Sequence, residues 1–158
     1  MKRLLLTGVL TSLAVFGAAK YDGPRPPKAD LPYLLHADNL VATDAGEAKE
    51  ETRKDATVAS ISGAASAART PLAEPIFVIK TNKLVADKIS VYKLQVKNGV
   101  REVVVNSRNA KNISKPIHVV VTRLEEGLYK IEVDEPLDNG EYALSPDGSN
   151  ETFSFSIY

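Results

Sequence analysis

The sequence predicts an all-β protein built as an antiparallel sandwich, and three observations carry this prediction. Asn98-Gly99 separates two runs of alternating residues, which is the strongest short signal for a β-hairpin. Turn residues recur along residues 75–158 at the intervals typical of all-β architectures. The last run alternates Phe153, Phe155 and Ile157 with polar residues, as a strand with one buried face does.

The hairpin around Asn98-Gly99 also predicts its own register. A type I′ turn needs positive φ at both central positions, which Asn and Gly tolerate. The expected pairs are Lys97 with Val100, Val96 with Arg101, Gln95 with Glu102, Leu94 with Val103 and Tyr92 with Val105. This register places the apolar residues of both strands on one face, so turn and pattern agree.

A turn motif occurs twice near the C-terminal end of the chain. Leu124-x-x-Gly127-x-Tyr129 recurs as Leu137-x-x-Gly140-x-Tyr142, and each copy leads into alternating residues. Because side chains alternate along a strand, the inward residues are predicted to be Tyr129, Ile131 and Val133 after the first copy and Tyr142 and Leu144 after the second. Residues 124–158 are therefore predicted to form three consecutive antiparallel strands.

The run Asp138-x-Gly140-x-Tyr142-x-Leu144 resembles the tyrosine corner of immunoglobulin-like sandwiches. The resemblance implies that the hydroxyl of Tyr142 donates back to the upstream backbone. Leu144 stands where immunoglobulin domains carry a cysteine, and the chain has neither Cys nor Trp. The chain therefore resembles the Cys-free immunoglobulin-like or fibronectin-like modules of secreted bacterial proteins, a likeness that implies a fold and no activity.

Residues 1–19 have the pattern of a secretory signal peptide. Lys2 and Arg3 precede an apolar run over residues 4–16, and the small residues Gly17-Ala18-Ala19 follow. The absence of cysteine excludes a lipoprotein anchor and a disulfide framework. We therefore expect a secreted or periplasmic bacterial protein that does not insert into a membrane after cleavage of the signal.

The remaining sequence divides into three parts by composition. Residues 20–32 are predicted to be a proline-rich spacer, and residues 33–74 an N-terminal arm, partly ordered, with two strands and a charged connection. A helix over about residues 45–55 is the alternative for that connection, and the arm could pack on the sandwich or on a partner. Residues 62–69 are predicted to be a loop, and residues 75–158 a sandwich of seven strands that starts at Ile76.

The charge balance excludes two classes of partner. Without residues 1–19 the chain carries 18 basic against 20 acidic residues, and the basic residues are scattered. Nucleic acid and anionic membrane surfaces both need a concentrated basic patch. We therefore expect neither as a partner.

Candidate chemistry is sparse in this sequence. His36 and His118 belong to no metal-ligand spacing, and Ser62 and Ser66 lie outside any G-x-S-x-G elbow. The run Asp147-Gly148-Ser149-Asn150 has oxygen ligands but lacks the alternating acid spacing of a calcium loop. We therefore predict no catalytic, cofactor-binding or metal-binding residue, no cofactor and no enzyme activity.

Two functions of different classes fit these observations. The first is a non-catalytic binding or structural module whose sheet edges and loops meet another envelope or secreted protein. The second is an extracellular sugar-binding protein or small hydrolase. Sugar binding favours exposed aromatic rings, and the tyrosines expected to be free for this are Tyr21, Tyr33 and Tyr158. The pattern favours the first function and leaves the oligomeric state open.

Overall fold

The computed structural model describes residues 20–158, so the predicted signal peptide lies outside the described residues. The described chain is all-β, with antiparallel sheets arranged as a sandwich in which one sheet, here called the curled sheet, joins its own two ends. The helices in residues 20–158 are two short 3-10 turns, Ala86–Lys88 and Ala110–Asn112. None of the helices in this part of the chain is long and apolar enough to cross a membrane.

Thirteen strands form in residues 20–158. They are β1 (Tyr33–His36), β2 (Asn39–Ala42), β3 (Asp44–Glu47), β4 (Lys49–Arg53), β5 (Ala56–Ser62), β6 (Arg69–Thr70), β7 (Ile76–Lys80), β8 (Ile89–Lys97), β9 (Val100–Ser107), β10 (Val119–Glu125), β11 (Leu128–Val133), β12 (Gly140–Pro146) and β13 (Glu151–Ile157). Strands β7 to β13 are the seven expected from Ile76 onward.

The strands form two sheets. The sheet whose two ends are not joined, here called the flat sheet, has five strands in the order β10-β11-β7-β1-β2. The curled sheet has the order β3-β13-β12-β8-β9-β5-β4, with β6 pairing in parallel with β13. The prediction that residues 124–158 form three consecutive antiparallel strands was wrong in one respect. Strands β12 and β13 pair with each other, but β11 lies in the flat sheet between β10 and β7.

The curled sheet closes on itself through a single residue. Strands β3 and β4 lie at opposite ends of the strand order, yet only Ala48 separates them in the chain. Strand β3 pairs with β13 and β4 pairs with β5, and the N–H of Ala48 donates to the carbonyl of Asn150 over 2.8 Å. Residues 44–53 are therefore one nearly continuous strand that joins the two edges of the sheet.

Residues 33–62 pack within this chain rather than standing apart from it. Strand β1 pairs with β7, β3 with β13, and β5 with β9. The alternative of a helix over about residues 45–55 is wrong, because strands β3 and β4 form there. Those residues are mostly exposed and carry no apolar stripe, so an isolated helix has no buried face to stabilise it.

The predicted Asn98-Gly99 hairpin is confirmed at the turn. Strands β8 and β9 pair Lys97 with Val100, Val96 with Arg101 and Gln95 with Glu102, and Asn98 and Gly99 both have positive φ. Beyond these three pairs the strands diverge, since β8 continues against β12 and β9 continues against β5. Leu94 lies opposite Glu141 rather than Val103.

The main core lies between the two sheets. The inward residues predicted for the last three strands are confirmed, with Ile131 and Phe155 fully buried. The ring of Phe155 stacks on Tyr142 at 5.5 Å between centroids and meets Phe77 edge-on at 5.0 Å. Because Phe77 belongs to the flat sheet and the other two rings to the curled sheet, these aromatics join the layers.

Candidate binding surfaces

The two histidines lie in separate places and contact no shared partner in residues 20–158. His36 Nε2 lies 2.9 Å from the hydroxyl of Thr70, which is fully buried. A buried hydroxyl cannot reach a substrate, so this pair does not have the geometry of a nucleophile and its base. His118 is exposed, and its Nδ1 lies 2.9 Å from the carboxylate of Asp134.

The serines named in the sequence have structural contacts. Ser66 is 4% exposed, and its hydroxyl contacts the carboxylate of Asp44 and the carbonyl of Ser154. Its N–H donates to the carboxylate of Glu141 over 2.9 Å. The loop over residues 62–69 is therefore anchored by polar contacts, although its sequence holds no bulky apolar residue. The carbonyl of Ser62 accepts from the guanidinium of Arg101.

The turn at Asp147-Gly148-Ser149-Asn150 joins β12 to β13. Gly148 has φ of +68°, and the Ser149 hydroxyl accepts from the N–H of Glu151. Within residues 20–158 there is no group of three or more His, Cys, Asp or Glu side chains placed to hold a metal ion. The geometry is that of a hairpin turn.

The proline-rich residues 20–32 lie against the protein. Arg25 makes a two-point ion pair with Glu125, and the hydrogen bond from Arg25 lowers the pKa of this carboxyl group. Burial opposes the ionisation of Asp30, but three N–H groups of residues 82–84 donate to its carboxylate and lower its pKa overall. These contacts tether the segment to the end of the flat sheet.

The flat sheet has two edge strands that pair on one side only within the described residues, β2 and β10. An edge strand presents backbone donors and acceptors to which another strand can pair. Both edges carry exposed apolar side chains, with Val41 on β2 at 36% exposure and Val120 on β10 at 42%. The edges differ in what surrounds these valines.

Beside β2 lies a shallow apolar depression of about 500 Å³, here called the β2 patch. Its lining residues are His36, Ala37, Val41, Arg69, Pro71, Leu72 and Tyr158. Val41, Leu72 and Tyr158 are three of the exposed large apolar residues of the described chain, with Tyr158 at 56% exposure. The guanidinium of Arg69 lies 4.3 Å from the centre of the Tyr158 ring, which fixes that ring at the rim.

The sequence indicated the β2 patch only in part. Tyr158 was among the tyrosines expected to be free, and it is exposed. Tyr33 was expected to be free and is instead 5% exposed, because it pairs with Val78 on β7 and packs in the sheet. Val41 and Leu72 are far apart in the chain, and no local pattern marks them as neighbours.

A second feature, a cavity that is open at one end, lies inside the curled sheet. This cavity has a volume of about 120 Å³ and is bordered by an apolar cluster that includes Ile61, Leu94 and Ala143. Tyr92 and Val105 also line it, so the shared face predicted for the hairpin points to the interior of the curled sheet and not to the main core, and Val105 stays 42% exposed.

One end of that interior is closed by charged groups. Arg101 is 4% exposed and donates to the carbonyls of Ser62 and Gly63, and its guanidinium lies 3.6 Å from the carboxylate of Glu141. The Nη1 atom of Arg101 is buried and makes no hydrogen bond in the described chain. Ser145 lies on the same face of β12 four residues beyond Glu141, and at this other end the cavity adjoins a more open depression that Tyr92, Ser145 and Ser149 also line.

The chain was compared with known proteins, and no protein-family model, no curated protein and no solved structure matches it.

Proposed function

We propose that the chain is an exported, non-catalytic module of the bacterial envelope that binds another protein through the β2 patch and the neighbouring free edge of β2. The observation that carries this proposal is the gathering of Val41, Leu72 and Tyr158 beside an edge strand. Export is inferred from the signal pattern of residues 1–19.

The partner is inferred to be an extended segment of another exported protein. A strand added to β2 would gain main-chain hydrogen bonds, and its side chains would enter the apolar depression. The lining residues include Arg69 and His36 and no Asp or Glu, which favours a segment with an acidic residue beside its apolar ones.

We also propose that the sandwich is of the immunoglobulin-like class. Support comes from the hydroxyl of Tyr142, which donates to the carbonyl of Asp138 over 2.8 Å as the corner motif implies. Burial raises the pKa of Tyr142, so the neutral, donating form of the phenol is favoured.

Site-specific photo-cross-linking tests the binding role. A benzophenone side chain at position 41 is compared with one at position 120 on the other free edge, each in the tagged protein in the cells that export it. We expect one protein to be captured in high yield from position 41 and little from position 120. Excess protein without the benzophenone should compete for that capture, whereas the Val41→Lys variant should compete at least about fivefold less well, since loss of an interface anchor often costs more than about 1 kcal/mol.

Two results would contradict the proposal. One is equal capture from positions 41 and 120, which indicates non-specific proximity. The other is full competition by Val41→Lys, which excludes the β2 patch as the binding surface. The matched variant Val120→Lys should compete as well as the unchanged protein.

A further inference from the structure

The cavity inside the curled sheet has the size of a single small ring. Its volume is about 120 Å³. An engineered apolar cavity of about 150 Å³ stays free of water and binds benzene. A ligand of this space therefore has an apolar body of roughly one six-membered ring, far smaller than a peptide strand.

Small side chains keep the space open. Ala48, Ala59 and Ala143 line the cavity from different parts of the curled sheet, where larger residues would fill it. The opposite face of the same sheet is filled by the rings of Tyr142 and Phe155. Since protein interiors are normally packed without voids larger than a water molecule, the vacancy is a specific feature of this face.

The open end of the cavity is polar and acidic. Hydroxyl and amide groups line it at Ser145, Ser149, Asn150 and Thr152. Glu50 is the charged residue among the lining residues, and Lys, Arg and His are absent from them. An adjoining depression shares Tyr92 and adds Asp87 and Asp147 against Lys88.

This distribution selects the charge of the ligand. A carboxylate or phosphate at the opening would face Glu50 without a lining cation to neutralise it. An ammonium group would be attracted to Glu50 and could donate to the neighbouring hydroxyls. Tyr92 offers an aromatic ring at the same opening, which also favours a cation.

We propose that this cavity is a binding site for a small organic amine, with its apolar body between Ile61, Leu94 and Ala143 and its ammonium group beside Glu50. The site is separate from the β2 patch and does not depend on the proposed function.

Three probes of equal size and different charge test this site: benzylamine, benzyl alcohol and benzoate. Each is titrated into the isotope-labelled protein, and methyl resonances are followed by NMR. We expect benzylamine to shift the methyl signals of Ile61, Leu94 and Val103, while those of Val91 and Ile131 in the main core stay unchanged. Benzyl alcohol should bind more weakly and benzoate weakest.

Two variants separate shape from charge. Ala59→Leu, which fills the cavity, should remove binding of all three probes, whereas Ala45→Leu on the exposed β3 should not. Glu50→Gln should weaken the binding of benzylamine about 1.4-fold to fivefold and leave that of benzyl alcohol unchanged, because an exposed ion pair contributes about 0.2–1 kcal/mol. Glu47→Gln is the matched control.

The titration of the unchanged protein decides the proposal even if Ala59→Leu fails to fold. Absence of shifts at Ile61 and Leu94, or shifts spread equally over the main core, would overturn it. Equal affinity for benzoate and benzylamine would overturn the assignment to an amine.

Discussion

The flat sheet and the curled sheet differ in how their edge strands are paired. Both are antiparallel and share one aromatic core. The flat sheet ends in β2 and β10, which pair on one side only in the described chain, whereas the curled sheet joins its two ends through Ala48. Unpaired edges invite a further strand, and a closed sheet encloses space instead.

This difference places the two proposed binding sites in different parts of the molecule. The flat sheet offers the short edge strand β2 and a shallow depression beside it, which suit an extended protein segment. The curled sheet offers a small cavity that is open at one end, which suits a small molecule. One chain can therefore hold both surfaces without competition between them.

The largest expected effect contrasts the shared core with the interior of the curled sheet. Phe155→Ala should destabilise the protein by about 3–5 kcal/mol, because it removes a fully buried ring that joins both sheets. Leu94→Ala should cost about 2 kcal/mol, at the low end for such substitutions, since Leu94 already borders a cavity. Urea unfolding followed by circular dichroism measures both.

The exposed Val120→Ala is the control for that pair and should change stability by less than about 0.5 kcal/mol. If Leu94→Ala proved as costly as Phe155→Ala, the curled sheet would be as tightly packed as the main core and the contrast between the two interiors would fail.

A smaller effect tests the closure at Ala48. Ala48→Pro removes the N–H that donates to Asn150, and we expect a loss of about 1–3 kcal/mol from the missing hydrogen bond together with the proline ring inside the strand. Ala48→Gly keeps the donor and should cost about 0.5–1 kcal/mol. In the proline variant, the amide hydrogens of β4 and β5 should exchange faster than in the unchanged protein, and those of the other strands should change less. Equal stability of the two variants would mean that the sheet does not depend on this joint.

The sequence predicted local features better than the closure. Turn chemistry at Asn98-Gly99 and the burial of Phe153, Phe155 and Ile157 depend on neighbours in the chain, and both are confirmed, although the polar face of the last strand is buried as well. The joining of the sheet edges brings Ala48 to Asn150, about a hundred residues away, and exposed charged residues around Ala48 give no apolar pattern. Such a contact is decided by tertiary packing rather than by propensity.

The candidate surfaces show the same limit. Tyr158 could be predicted to be exposed because it follows the last alternating residue, but its neighbours Val41 and Leu72 come from other segments. The cavity depends on three alanines from separate parts of the curled sheet, namely Ala48 between β3 and β4, Ala59 on β5 and Ala143 on β12, and such alanines have no local signature of a void. Sequence pattern assigns faces of strands, whereas three-dimensional packing decides which faces meet.

The smallest effect concerns the point where the chain passes from the flat sheet at β11 to the curled sheet at β12. Tyr142→Phe removes the hydrogen bond to the carbonyl of Asp138 and should lower the free energy of unfolding by about 1 kcal/mol. Tyr129→Phe is the matched control, because its hydroxyl makes no hydrogen bond to the described residues, and it should change stability by less than about 0.5 kcal/mol. An unchanged unfolding midpoint for Tyr142→Phe would mean that stacking on Phe155 alone holds this ring, and that the corner hydrogen bond does not fix the relation between the two sheets.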